Sequence, residues 1–429
     1  MRRHNESGDA EGLRPLELRL RAVTDAAFGR RDELAAGLCT ELGDHLFTVG
    51  DLEPARRYYQ RALEIVEDML GQDNPRTSIL LNNIGLVLQA QSEYAEARRY
   101  LERALAIQER VLGEDHPHTA NSLNSLGLLL QNQGDYTGAR RFFERGLVSI
   151  EQALGPDHPY VADSLNNLGL VLQMLGDRAV ARSCLERALT IREQTLGTDH
   201  PLIANAYSSL GQLYRDLDDL EAALRAHQRA LAIRERALGP DDAATASSLN
   251  NLGMVLQAMG SFGRAQTYLE RALGIAERAL GADHPDVGNH LNNLAGLLHA
   301  RGDLAGARVH LERAQAIWEQ ALWPEHPHCA RSLNNLAGLL AGSGERATAV
   351  QHLRRALSLQ DRVLDPHHPD LAITLTNLGR LLQELGDVVD ARACYIRTLA
   401  IHCETVGTDS AEARSIFAAL DSLPNEPGT

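Results

Sequence analysis

The chain has 429 residues, 44% of them hydrophobic and 23% charged, enough apolar material to bury a large core and too much for a disordered chain. All 42 Lys and Arg residues are arginine, which excludes P-loop, pyridoxal and kinase chemistry in their ordinary lysine-dependent forms. A formal charge of −15 argues against a nucleic-acid backbone or an anionic membrane as the main partner, since both attract positive surfaces.

From the N-terminus, residues 1–14 carry two early arginines with no apolar run behind them and are expected to be disordered. Residues 15–33, with Leu16, Leu18, Leu20, Val23 and Phe28, are expected to form an N-terminal capping helix. Self-similarity then takes over. The run Leu112-Gly113-Glu114-Asp115-His116-Pro117 returns at Leu154–Pro159, Leu196–Pro201 and Leu280–Pro285, with looser copies starting at Leu70, Leu322 and Leu364. The step is 42 residues or its double, and a small residue keeps the same frame at Gly43, Gly85, Gly127, Gly169, Gly211, Gly253, Ala295, Ala337 and Gly379. Nine repeats over 34–410 follow, and 411–429 reads as a C-terminal capping helix and tail covering the last apolar face.

Within each repeat two helices are expected. Leu123, Leu126 and Leu130 recur at helical spacing until Gly134-Asp135-Tyr136 breaks the pattern, and a second helix runs from about Tyr136 to Leu154. Gly155 suits the left-handed residue after a helix, and Asp157-His158-Pro159 supplies a polar cap followed by proline at the first helical position. Small residues at Gly127 and Ala139 let the two axes approach closely. The fold class is therefore all-α, a stack of helix-turn-helix repeats. Five cysteines, Cys39, Cys184, Cys329, Cys394 and Cys403, are scattered without CxxC, so neither a disulfide framework nor a zinc site is indicated. With no run of eighteen apolar residues, a cytoplasmic location is expected.

Leu-Gly in the first helix, Gly-Asp-Tyr at the turn and Ala at the start of the second helix resemble the tetratricopeptide repeat. The 42-residue version with NNLG, RAL and LGxDHP is similar to the repeats of kinesin light chains and related bacterial proteins, over about residues 34 to 410. That resemblance implies a right-handed superhelical solenoid whose concave face is lined by the first helix of each repeat. A kinesin light chain also carries a long heptad segment before its repeats; only about 33 residues precede them here, and a motor-subunit role is not implied.

On a helical wheel of the second repeat, Ile79, Asn82, Leu86, Gln89 and Ala90 share an arc of about 100°, opposite Leu81, Ile84 and Leu88. The same register gives Asn82, Asn124, Asn166, Asn250, Asn292 and Asn334, accompanied by Gln89, Gln131, Gln173, Gln257 and Gln383. Each carboxamide offers donor and acceptor, so a row of them can hold the backbone of an extended peptide; the resemblance implies such a use for the asparagines. The alternative is that these amides only bond neighbouring helices, and it is strongest for the second asparagine at Asn83, Asn167 and Asn251. Between the amides one position reads Leu86, Leu128, Leu170, Gln212, Met254, Gly296, Gly338 and Arg380, so the floor changes from apolar to open. Arg215, Arg331 and Arg380 fall on the same arc and could pair with acidic ligand residues, or be solvated surface charge.

Three further signals carry structural readings. Tyr207 and Tyr214 lie on the opposite arc and are expected in the core. Histidines 116, 158, 200, 284, 326 and 368 stand one per helix start, too far apart for a shared metal, and are expected to cap. Arginines at 61, 103, 145, 187, 229, 271, 313, 355 and 397 suit a contact between repeats, with a turn carboxylate such as Asp135 as the expected partner. No catalytic motif and no cofactor site emerges. The sequence supports a non-enzymatic scaffold holding an extended peptide segment of a partner protein. A regulatory sensor acting in trans on a nucleotide-switch or effector protein is the alternative, and homo-oligomerisation stays open.

Overall fold

The computed structural model describes residues 10–321, 327–405 and 410–424. Among the described residues the regular secondary structure is all helical, in twenty helices. After α1 (Ala10–Phe28) come α2 (Glu33–Thr48) and α3 (Leu52–Leu70), α4 (Pro75–Ala90) and α5 (Tyr94–Val111), α6 (Pro117–Gln133) and α7 (Tyr136–Leu154). Next are α8 (Pro159–Met174) and α9 (Arg178–Leu196), α10 (Pro201–Asp216) and α11 (Leu220–Ala237), α12 (Ala243–Ala258) and α13 (Phe262–Leu280). The remaining pairs are α14 (Pro285–Ala300) with α15 (Leu304–Ala321), α16 (Pro327–Gly342) with α17 (Arg346–Val363), and α18 (Pro369–Glu384) with α19 (Val388–Thr405). The last helix is α20 (Ala411–Asp421). The chain forms two compact units, one drawn from residues up to Asn132 with Thr137–Ser164, the other from Gln133–Tyr136 with Leu165 onward.

The helix starts are set by local chemistry. Asn74 accepts the amide of Arg76 at 2.9 Å, and Asp242 that of Ala244 at 2.7 Å. At the same register His116, His158, His200, His284 and His368 accept the amide two residues on through Nδ1. An imidazole can do this only while Nδ1 is unprotonated, so these histidines act as neutral caps. His326, expected to do the same, lies outside the described residues. At the far end of the second helices, Gly155 has φ 90°, a left-handed value that a side chain would strain.

In seven of the nine repeats pairing depends on a missing Cβ. One added to Gly127 would lie 2.5 Å from the Phe143 ring, and one on Gly253 would lie 2.6 Å from Leu269. Ala295 and Ala337 occupy this register in the seventh and eighth repeats and are buried with Leu311 and Leu353. The notch fixes how the second helix lies on the first, and hence which face of the first helix stays open.

Second helices of successive repeats are tied by the repeated arginine. Arg103 pairs with Glu67 at 2.6 Å, Arg145 with Glu109 at 2.8 Å, Arg271 with Glu235 at 2.8 Å and Arg355 with Glu319 at 2.8 Å. The expected turn carboxylate is thus corrected: the partner sits on the preceding second helix, because the two arginine and glutamate positions lie side by side when equivalent helices stack. Arg61 makes the same pair with Asp25, so α1 stands where a preceding second helix would. That helix begins at Ala10, inside the stretch expected to be disordered, as Ala, Glu, Leu and Arg favour helix. Residues 1–9, the rest of that stretch, lie outside the described residues, as do 406–409 and 425–429. α20 buries Ala413 and Ile416 at the end of the last repeat. Tyr207 and Tyr214 are only half-buried; their hydroxyls donate to Glu193 at 3.0 Å and Glu186 at 3.3 Å, which draws the ring ends to the surface.

Candidate peptide-binding face

In the first unit, Asn82, Leu86 and Gln89 on α4 and Asn124, Leu128 and Gln131 on α6 are half-buried along one face. Ser122 donates to Asn82 Oδ1 at 3.4 Å, and Asn124 donates through Nδ2 to Ser164 Oγ at 3.3 Å. The opposite amide ends tell a different story. Gln89 Oε1, Gln131 Oε1 and Asn124 Oδ1 are buried and have no hydrogen-bond partner. A cavity of about 880 Å³ lies on α2, α3 and α4, lined by Leu34, Leu38, Val66 and Ile79 together with the charged Asp32, Glu33, Glu41 and Arg76. Only Ile79 of these had a groove signal in the sequence.

In the second unit the same orphan atoms recur at Asn166 Oδ1, Gln173 Oε1 and Gln257 Oε1. Leu170 and Met254 are half-buried beside them. A buried amide oxygen without a partner costs about 1–3 kcal/mol. Gln173 anchors its Nε2 on Asp216, leaving only the oxygen unmatched. Gln383 is different: it accepts from Tyr395 at 3.0 Å and donates to Ser422 at 3.1 Å, so both amide ends are engaged structurally.

Further along, the asparagines are wired to one another. Asn293 donates to Asn250 at 3.1 Å, Asn335 to Asn292 at 2.6 Å and Asn377 to Asn334 at 3.3 Å. Each bond runs from the second asparagine of one repeat to the first asparagine register of the repeat before. A cavity of about 340 Å³ opens over them, lined by Met254, Gln257, Asn292, Asn293, Gly296, His299, Asn334, Asn335, Gly338 and Asn377 among others. Met254, Gln257, Asn292 and Asn334 are thus brought together as the sequence suggested. Asn293, Asn335, Asn377 and His299 were missed; the first three belong to the second-asparagine register, assigned to the edge of the arc.

Gly296 and Gly338 floor this cavity, and a Cβ on either would meet nothing within 4 Å. Neither has the positive φ that requires glycine. Each costs its helix about 1 kcal/mol relative to alanine with no packing return. The space they leave is the feature these residues supply.

The arginines do not converge on the cavity. Arg215 is exposed, 3.8 Å from Asp216. Arg331 donates to Asn289 and stacks its guanidinium over Trp318 at 5.7 Å. Desolvation lowers its pKa from the ordinary value, opposed by the charge of Asp370. Arg380 is exposed and outside the cavity. Among the described residues no group of three or more His, Cys, Asp or Glu is placed to hold a metal ion, and no helix is long and apolar enough to cross a membrane.

Helix pairs at a constant period, joined by the same notch and the same capped loop, define an α solenoid of short repeats. The tetratricopeptide repeat matches at residues 33–102, 76–148, 123–194, 170–236, 203–278, 244–320, 286–361 and 328–404, and the chain belongs to that family. No curated protein sequence matches the chain. Among solved structures, kinesin light chain nearly identical TPR-like repeats of Podosopora anserina are similar at 25% identity, covering 48% of this chain and 97% of that one, with a TM-score of 0.41. BtubC (BKLC) of P. vanneervenii is 24% identical, over 70% of this chain and 95% of that one, at 0.37. A Rap protein complexed with Competence and Sporulation Factor is 15% identical over 86% of this chain and 98% of that one, at 0.57, a likeness of fold. The chain is a repeat scaffold for protein interaction.

Proposed function

We propose that the chain is a non-enzymatic adaptor that holds an extended peptide segment of a partner protein along the first helices, by hydrogen bonds from the Asn and Gln row to the ligand backbone. The observation that carries this reading is the set of glutamine oxygens at 89, 131, 173 and 257, buried without a partner at one register of the repeat. At the same register Gln383 has both amide ends satisfied, and unpartnered glutamine oxygens also occur off the row at Gln91 and Gln108. An extended peptide presents backbone donors at regular intervals and can supply what the row's oxygens lack. The half-buried Leu86, Leu128, Leu170 and Met254 beside the row give the ligand apolar contact, and the exposed Arg215 and Arg380 are available to acidic ligand residues, whereas the guanidinium of Arg331 is already engaged by Asn289 and Trp318.

The test combines Gln89→Ala, Gln131→Ala, Gln173→Ala and Gln257→Ala in one full-length variant. Removing four unpartnered oxygens and adding helix propensity offsets the one hydrogen bond lost, from Gln173 to Asp216, and should leave the melting temperature unchanged or raised. Extracts of the native host are passed over both proteins and the retained proteins identified by mass spectrometry. The reading expects one partner enriched on the wild type and lost from a variant that remains as stable. A variant that is destabilised, or that retains the same partners, assigns the row to structure instead.

A further inference from the structure

We infer that the two ends of the chain are complementary halves of one further repeat, and that Glu17, Leu20, Arg414 and Asp421 keep a second copy from joining through them.

The halves follow from the register. The first helix, α1 (Ala10–Phe28), starts and ends 42 residues before α3 (Leu52–Leu70), so it is a second helix without its first. The last helix, α20, starts at Ala411, 42 residues after Pro369 of α18, so it is a first helix without its second. Each therefore leaves open the face that is covered inside a complete repeat. In the eighth repeat Leu359 packs with Ala330 and Leu333, and in the fifth Ile233 packs with Ile203 and Ala204. Val23 holds the register of Leu359 and Ile233 and is 56% exposed, and Phe417 holds that of Leu333 and is 45% exposed. Ile65 and Ile275 at the first register, and Leu249 and Leu375 at the second, are buried. The α20 of one copy and the α1 of another supply what each lacks, and because the two faces differ, such a contact would add copies head to tail.

The four residues obstruct that contact where a complete repeat is tightest. Asp421 stands at the register of the notch glycines, such as Gly127 and Gly379, and Glu17 at that of the side chains that fill the notch, such as Phe143 and Tyr395. A junction would close on two carboxylates in a space where Phe143 and Leu269 are fully buried, and burying like charges without a partner is costly. Arg414 stands where Ala120, Ala204 and Ala330 are buried, and Leu20 where Ala62, Ala230 and Ala356 are fully buried. Those two registers meet closely: in the third repeat a Cβ on Gly146 would lie 3.5 Å from the Ala120 carbonyl oxygen. The tie between second helices is missing too, since Arg19 continues the repeated arginines and would face Cys403, where all eight earlier repeats have Glu or Asp. Val23 and Phe417 stay apolar while the positions around them are charged or oversized, so the ends are blocked at specific points rather than polar throughout.

The experiment measures mass in solution by analytical ultracentrifugation of the full-length protein, with circular dichroism to check that each variant keeps its helix content. Glu17→Leu with Leu20→Ala restores the residue types of the complete repeats at the first end, and Arg414→Ala with Asp421→Gly restores them at the last. The wild type and each two-residue variant alone are expected to sediment as monomers of 46.9 kDa. An equimolar mixture of the two variants is expected to form a one-to-one dimer and nothing larger, because only one of its junctions is restored on both faces. The variant carrying all four substitutions is expected to form chains that lengthen with concentration, with association at least tenfold tighter than in the wild type. Non-specific aggregation cannot produce the dimer that stops at two. A wild type that already associates, a four-residue variant that stays monomeric, a mixture no heavier than its components, or a two-residue variant that associates alone as strongly as the mixture each overturns the inference.

Discussion

Replacing His227 by leucine should stabilise the protein and remove part of its sensitivity to acid. The ring is 2% exposed and packs into the notch of Gly211, where a Cβ would lie 2.5 Å from Nε2. Its Nδ1 is buried with no partner. Burial, then the charges of Arg215 and Arg234, push its pKa from 6.5 down to about 4. An unfolded histidine takes up a proton near 6.5, whereas the folded one resists until about 4. Between those values the unfolded state binds more protons, so the folding stability present above pH 6.5 is lost as the pH falls toward 4. At 1.36 kcal/mol per unit, a shift of this size is worth roughly 3 kcal/mol, of which about 2.5 is lost between pH 7.5 and 4.5. Leucine already fills the equivalent place at Leu185 and Leu269, both buried against glycine, so His227→Leu introduces no new shape. Relief of the unpaired nitrogen should add about 1 kcal/mol at pH 7.5. Urea unfolding followed by circular dichroism at both pH values gives the comparison, and hydrogen exchange of α10 and α11 localises it, since repeat arrays can open in parts. Equal losses for both proteins over this interval, or a variant less stable at pH 7.5, would refute the argument. Other histidines with lowered pKa, His290 and His368 among them, titrate alike in both proteins and cancel in the difference.

The two kinds of helical glycine should separate on substitution. Gly296→Ala and Gly338→Ala each should gain about 0.5–1 kcal/mol, while Gly127→Ala should lose about 1–3 kcal/mol because Phe143 has to move, as thermal or urea unfolding would report. Arg271→Ala should change stability by no more than about 1 kcal/mol, since its pair with Glu235 is half-exposed on both sides, and a larger loss would mean that the ties between second helices act as a network.

The period made the scaffold legible because the notch, the capped loop and the second-helix arginine each need one residue type at one place in every repeat. Gly127 opposite Phe143 is visible in sequence as a small residue that returns every 42 positions. The partner of that arginine was not visible. Glu67 and Glu109 are as regular as Asp135, and only the stacking of second helices decides between them.

The candidate site was half legible for a related reason. Helical spacing placed Asn292, Asn334 and Gln257 on one face, but a wheel treats every helix alone. What distinguishes the cavity is which end of each amide is used, and that follows from contacts between repeats. Asn334 is oriented by Thr374, Thr374 by Gln360, and Gln360 by the Asp370 carbonyl, a chain of single-donor constraints with no periodic signature. The sequence can show that a residue type recurs. Its unused hydrogen-bonding capacity, which is what a ligand meets, appears only once every neighbour has been assigned. The same distinction separates Gln257, with its oxygen unmatched, from Gln383, with both ends engaged, although both stand at one register of the repeat.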